Sequence, residues 1–143
     1  MKKLVAVCSL LVLLGVLAGC VVQNTPASAN GGNTITMGPN NYIGGVSGGS
    51  FCGSSANPCA ITIKKGQAIT FADDRSTGQP HILVIGPNGT PKPAAGAPDF
   101  GANGISFQPG DSKSTPPWIT AGTYTVSCSV HPTTMNLKVT VTA

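Results

Sequence analysis

Glycine and proline occur so often in this chain that long helices are excluded from most of it. The 143 residues include 19 Gly and 12 Pro, and both residue types interrupt helices while favouring turns. Beyond residue 20 no apolar stripe has the period of an α-helix, whereas several short segments alternate apolar and polar residues. The chain is therefore predicted to be all-β, and its length allows a single domain.

The alternating segments predict where the strands lie. Two of them, Ala60–Ile63 and Gln67–Phe71, flank the turn sequence Lys64-Lys65-Gly66 and are predicted to form a hairpin with inward isoleucines. Short strands separated by turn signals favour a sandwich or a barrel. The other predicted strands are Thr34–Met37, His81–Ile85, a short one near Ile105–Gln108, Gly122–Cys128 and Asn136–Thr142.

The first nineteen residues are predicted to be a signal peptide rather than part of the fold. Two lysines precede a short apolar run and a small-residue exit, and the run is too short to span a bilayer. Leu17-Ala18-Gly19-Cys20 resembles the bacterial lipobox, which implies cleavage before Cys20 and a lipid on its sulfur. An ordinary signal peptide with an incidental Cys20 is the alternative.

This N-terminal reading divides the chain into three parts. Residues 1–19 form the signal peptide, residues 20–33 the lipidated cysteine and a flexible tether, and residues 34–143 the domain. The protein is expected outside the cytoplasm, anchored by its lipid to the outer face of the cell membrane or to its periplasmic side.

The sequence positions of the remaining cysteines indicate different roles for them. Cys52 and Cys59 lie close together in a loop of Gly, Ser, Asn and Pro, and export favours a disulfide between them. A loop this short contributes about 2–3 kcal/mol at most. Cys128 is left without a partner inside a predicted strand, which calls for another explanation.

The charged residues suggest no nucleic-acid partner. Without Lys2 and Lys3 the chain keeps six basic and four acidic residues, and Lys64-Lys65 is the only basic pair. Asp73-Asp74-Arg75 is predicted to be a solvated turn, with partner docking as the alternative. Met37 and Trp118 are predicted to pack in the core or against loops.

Four side chains of the predicted domain suit a soft metal ion: His81, Cys128, His131 and Met135. The chain has two histidines, and both belong to this set. Cys128-x₂-His131-x₃-Met135 places three potential ligands in one loop between two strands, while His81 begins another strand. One Cys, two His and a weak axial Met are typical of blue-copper electron-transfer sites, so one copper ion cycling between Cu⁺ and Cu²⁺ is predicted.

The segment Gly122–Met135 (GTYTVSCSVHPTTM) closely resembles the C-terminal copper loop of cupredoxins such as plastocyanin and amicyanin. Ile61–Phe71, followed by Pro80-His81, is similar to the middle strands that lead to the first histidine of that family. The resemblance implies a Greek-key β-sandwich with a type 1 copper. It also implies that His81 and His131 are imidazole ligands, Cys128 the thiolate and Met135 the axial thioether.

Three features depart from the family pattern. Ile82 follows the first predicted ligand, His81. In the family this position is often an Asn whose side chain ties the two ligand-bearing segments together. Val130 precedes His131 where Pro or Gly is common. The gap between His131 and Met135 is intermediate between amicyanin-like and plastocyanin-like loops. These differences bear on reduction potential and colour more than on metal binding.

The resulting prediction is a monomeric, membrane-tethered carrier of single electrons between donor and acceptor proteins, not an enzyme. No histidine remains for a second, catalytic copper, and the loop has one cysteine where a dinuclear centre needs two. The alternatives are a copper-binding module for storage, delivery or resistance, and a metal-free domain for adhesion or assembly. Zinc in such a site would be misloading.

Overall fold

A computed structural model describes residues 33–38, 42–43, 46–47, 50–54 and 56–143. The predicted signal peptide at residues 1–19, the lipid site Cys20 and the tether as far as residue 32 lie outside the described residues. In the part that is described, no helix is long and apolar enough to cross a membrane.

The described residues form two β-sheets, a two-stranded ribbon and one 3₁₀ turn at Arg75–Thr77. One sheet has the strand order β2-β1-β6-β9, the other β5-β11-β10-β7-β8, and β3 pairs with β4. The all-β sandwich in a single domain is confirmed. The strands are β1 Thr34–Gly38, β2 Tyr42–Ile43, β3 Val46–Ser47, β4 Ser50–Phe51, β5 Cys59–Lys64, β6 Thr70–Asp73, β7 His81–Ile85, β8 Ile105–Phe107, β9 Ser112–Ser114, β10 Gly122–Cys128 and β11 Asn136–Thr142.

The core lies between the two sheets and is built by strand alternation. In β11 the predicted inward residues Leu137, Val139 and Val141 are buried, whereas Lys138 between the first two is exposed and Thr140 between the valines is half-buried. Met37 and Trp118 are fully buried, as predicted. Each fully buried aliphatic side chain contributes about 1.5–3 kcal/mol relative to an exposed one, so the alternating strands account for the packing of the sandwich.

The predicted hairpin between β5 and β6 is wrong. Strand β5 pairs in parallel with β11, and β6 pairs with β1 and β9 in the other sheet. The connecting turn crosses between the two sheets and is held by the backbone of Trp118. The Trp118 carbonyl accepts a hydrogen bond from Gly66 N at 2.8 Å, and the Trp118 backbone N–H donates to Gln67 O at 2.9 Å. Alternation reports that one face of a strand is buried but does not identify its partner, so a crossover and a hairpin share one pattern.

Topology brings three strand ends together at one end of the second sheet. Strand β10 lies between β7 and β11 and runs antiparallel to both, with Cys128 opposite Leu83 and Ser127 opposite Asn136. The end of β10 therefore lies beside the starts of β7 and β11. Cys128, His81 and Met135 sit at those ends, the last of them just before β11.

Candidate metal centre

The structure brings the predicted metal ligands together at this end of the sandwich. Cys128 Sγ lies 3.9 Å from His131 Nδ1. The rings of His81 and His131 are 5.1 Å apart between centroids at an angle of 62°. His81, Cys128 and Met135 are fully buried, whereas His131 is partly exposed. Three of the four side chains are thus removed from water, and one reaches the surface.

The loop that carries three of these side chains is closed by its own backbone. Cys128 N donates to Met135 O at 3.0 Å, so the first and last predicted ligands of the loop face each other across one hydrogen bond. The N–H groups of Thr134 and Met135 both donate to His131 O, at 3.3 and 3.1 Å. The short spacing of the motif therefore forms a tight turn that holds Met135 beside Cys128.

The donor spacing fits a metal ion in part. A thiolate and an imidazole bound to one first-row ion at about 2.3 and 2.0 Å lie about 3.5–3.7 Å apart, close to the 3.9 Å between Cys128 Sγ and His131 Nδ1. As the side chains stand in the described part of the chain, no three of the His, Cys, Asp and Glu residues converge on one metal position. Met135 is not one of those residue types. The four predicted ligands would have to move closer together to bind one ion.

Asp73 is a functional candidate that the sequence interpretation placed wrongly. It was predicted in a solvated turn, yet it is 3% exposed, and its Oδ2 lies 2.9 Å from His81 Nδ1, within hydrogen-bond distance. Thr77 Oγ1 lies 3.0 Å from the other carboxylate oxygen and 2.9 Å from Asp74 O, so two acceptors share its one proton. Asp74 and Arg75 are exposed, as predicted.

A sequence signal for Asp73 did exist. The residue ends β6, and two-residue alternation puts it on the same inward face as Phe71. The run of charged residues that follows concealed this strand position, because a cluster of charges ordinarily indicates a solvated turn.

Gln79 is a second contact that sequence reasoning missed, and no pattern in the sequence indicates it. His131 Nε2 lies 3.0 Å from Gln79 Oε1, a carbonyl oxygen that accepts the ring N–H. This arrangement leaves Nδ1, the atom that faces Cys128 Sγ, as the ring nitrogen with a lone pair. Burial, and secondarily the charge of His81, hold the pKa of His131 below its usual value, which favours the neutral imidazole that metal binding needs.

The tie between ligand segments that Ile82 cannot supply with its side chain is made by the backbone. Ser129 N, next to Cys128, donates to Ile82 O at 2.9 Å. On the same strand pair, Ser127 Oγ donates to Gly86 O at 2.5 Å and accepts from Gly89 N at 2.8 Å. The segments of the first and second predicted histidines are therefore joined despite the departure from the family pattern.

Asn136 connects the metal-site loop to the disulfide loop. Its side-chain amide donates to Pro132 O at 2.8 Å and to Gly53 O at 3.2 Å, and its backbone N donates to the same Gly53 O at 2.7 Å. The predicted disulfide between Cys52 and Cys59 is confirmed, and it closes the loop that contains Gly53. A buried side chain, 2% exposed, thus braces the turn next to Met135.

Comparison with known proteins supports the fold rather than a particular activity. No protein-family model matches the chain, and no curated protein matches it. A solved purple cupredoxin from Nitrosopumilus maritimus is similar, with a TM-score of 0.50, 25% identity, and coverage of 76% of this chain and 98% of that one. An oxidised amicyanin mutant has a TM-score of 0.49 and 19% identity, covering 81% of this chain and 87% of its own.

Proposed function

Because the chain has a cupredoxin-like fold, we propose that it binds one copper ion through His81, Cys128, His131 and Met135 and carries single electrons between a donor and an acceptor protein. The observation that carries this proposal is the position of Cys128. Its thiol is the one free cysteine of the described residues, it is fully buried, and its Sγ lies 3.9 Å from His131 Nδ1.

Bound copper would supply one-electron chemistry by cycling between Cu⁺ and Cu²⁺. The protein's part is to hold the ligands in one arrangement through both states. Cys128 ends a central strand that is paired on both sides, and the Cys128 N to Met135 O hydrogen bond closes the loop. Because strands and loop are rigidly connected, an electron can enter or leave with little movement of ligands. A nitrogen or sulfur ligand must be deprotonated to bind, and the buried thiol becomes a thiolate on metal binding.

His131 offers the route for the electron, since its ring alone among the four predicted ligands reaches the surface. Val130 beside it is 45% exposed and, with Ile119, is one of two large apolar side chains that are exposed among the described residues. An apolar contact around this ring suits a partner that docks briefly. The low charge of the chain implies that such docking depends little on salt concentration.

We extend the proposal to where the protein works. Residues 1–19 direct export, Cys20 carries the lipid and residues 20–33 tether the domain, which places the carrier on the extracytoplasmic side of a membrane. The role is that of a carrier rather than an enzyme, and the partners are redox proteins that reach the exposed edge of His131. A single copy of the domain contains all four proposed ligands.

The visible spectrum of the purified, copper-loaded protein tests this function. An intense thiolate-to-copper band that reductant bleaches is expected, and it should be absent from Cys128→Ser. Ser129→Ala, which removes an exposed hydroxyl from the same loop, should keep the band. A folded, copper-replete protein without it would contradict electron carriage and favour storage, delivery or resistance. Binding of no copper at all would favour an adhesion or assembly domain.

A further inference from the structure

The start of the described domain lies at the end of the sandwich where the turn between β5 and β6 joins the two sheets. In this turn Lys65 N donates to Thr142 O, at the end of β11, at 2.8 Å. Asn33 lies beside the same turn, because its side-chain amide donates to Ala68 O at 3.0 Å. The end of β5, the end of β11 and the start of β1 are therefore neighbours.

This end is opposite the candidate metal centre. Strand β10 begins here, since Gly122 lies opposite Val141 near the end of β11, and it finishes at the metal-centre end with Cys128. Seven residues of an antiparallel strand put about 20 Å between the two ends. A surface at this end therefore contacts something other than the partner that docks beside His131.

The exposed side chains at this end combine positive charge with an apolar group. Ile119 is 62% exposed and follows Trp118, whose carbonyl accepts a hydrogen bond from Gly66 N in the turn. Lys64 and Lys65 precede that glycine and are exposed as well. We call Lys64, Lys65 and Ile119 the entry face. The packing of the sandwich does not account for an exposed isoleucine beside two cations.

The two lysines of the entry face are not neutralised by the aspartates. The ion pairs among the described residues join His81 to Asp73 and Lys113 to Asp111. Both of these aspartates lie at the metal-centre end, where Asp73 ends β6 and its N–H donates to Asp111 O at 2.8 Å. The positive charge of the entry face is thus available to an anionic surface.

We propose, on the basis of the lipid tether proposed above, that the entry face rests on a bilayer with anionic headgroups and holds the metal centre away from it. Residues 21–32, twelve in number, separate Cys20 from Asn33, and such a chain spans at most about 45 Å. A lipid on Cys20 keeps the entry face within that distance of the headgroups, so a contact too weak to form alone becomes effective.

The composition of the entry face matches such a surface. Each lysine close to an anionic membrane favours the bound state about fivefold, and two together favour it about 30-fold. Ile119 suits the boundary between headgroups and acyl chains, where exposed apolar side chains are buried. With the entry face on the bilayer, the ring of His131 lies about 20 Å further out, at the far end of β10. The redox partner is then a protein whose own site reaches the water above the membrane.

The single tryptophan of the chain provides the measurement. Trp118 adjoins Ile119, so energy transfer from its indole to dansyl-labelled headgroups rises as the entry face approaches the bilayer. The mature, lipid-bearing, metal-free protein is reconstituted in vesicles of phosphatidylcholine, alone or with phosphatidylglycerol. Transfer should be higher in the anionic vesicles and should fall to the neutral value in high salt, because salt screens exposed charges. Equal transfer in both kinds of vesicle would overturn the proposal.

Paired variants separate the entry face from net charge. Lys64→Gln combined with Lys65→Gln should lower the transfer in anionic vesicles to that in neutral ones, and Ile119→Ser should lower it in part. Lys92→Gln combined with Lys138→Gln removes the same charge from exposed positions outside the entry face and is the matched control. If this control lowers the transfer as much as the first pair does, net charge attracts the bilayer and the proposal is wrong.

The tether and the entry face can fail separately. A mature protein that carries no lipid and does not float with neutral vesicles contradicts the tether and, with it, the proposal. A protein that floats but whose energy transfer is independent of lipid charge contradicts the entry face and leaves the tether standing. A dimer that sediments without lipid and dissociates in Ile119→Ser would assign the entry face to a second copy of the chain and overturn the proposal. Copper takes no part in these measurements, so the copper function is tested by its spectrum alone.

Discussion

The loop from Cys128 to Met135 and the segment from Asp73 to His81 reach the same site by different means. The loop brings three proposed ligands together within eight residues and closes on itself through the Cys128 N to Met135 O hydrogen bond. The segment brings one proposed ligand and two side chains that contact the histidines, Asp73 from an inner strand of the other sheet and Gln79 from the turn after it. The loop holds three proposed ligands that are close in sequence, whereas the segment contacts the two histidine rings through residues that only the tertiary structure brings near them.

The strongest test of this comparison replaces each histidine by glycine and offers free imidazole. His131 is partly exposed and His81 is not exposed at all, so added imidazole should restore the copper band of His131→Gly but not that of His81→Gly. Titration of the visible absorbance with imidazole measures the difference. Equal rescue of both variants would show that the interior position is as open as the surface one.

Asn136→Ala tests how far the loop depends on its brace. The variant loses the amide contacts to Pro132 O and Gly53 O in a buried position, so unfolding should become easier by about 1–3 kcal/mol. Asn103→Ala, at an exposed position, is the control and should be neutral. Chemical denaturation of the metal-free protein measures both variants. If Asn136→Ala is as stable as the control, the loop is held by its own backbone alone.

A smaller effect is expected at Gln79. Its hydrogen bond to His131 lies at the surface, where one hydrogen bond contributes about 0.5–1.5 kcal/mol. Gln79→Ala should therefore weaken copper binding only several-fold, less than Asp73→Ala. Competition with a copper chelator compares the two. A larger loss of copper affinity in Gln79→Ala than in Asp73→Ala would contradict this order.

The smallest effect concerns the pH dependence of the metal-free protein. The pKa of His131 lies below 6.5, chiefly because of burial, so folding favours its neutral form. The stabilisation is present above the unfolded pKa and is lost as pH falls through the lower, folded pKa. Unfolding free energy should therefore decline slightly more steeply below pH 6.5 in the wild type than in His131→Gln. A folded-state NMR titration of His131 with a midpoint at or above 6.5 would contradict this.

Sequence reasoning was most successful where the information is local. The bounds predicted for β7, β10 and β11 from flanking turn residues and strand patterning agree with the structure, and Cys52–Cys59 pairs as predicted. His81, Cys128, His131 and Met135 were selected by residue type and spacing, and the structure places them at one end of the sandwich. Whether they bind copper stays a prediction for the spectrum to decide.

The sequence by itself determined an all-β domain and a loop whose cysteine, histidine and methionine must lie together, since turn closure over a few residues leaves little choice. Tertiary structure alone decided that β5 and β6 belong to different sheets, that Asp73 faces inward against His81, and that Gln79 meets His131. These contacts join residues from separate strands and turns. Alternation records which face of a strand is buried, but only the packed sandwich determines what that face meets.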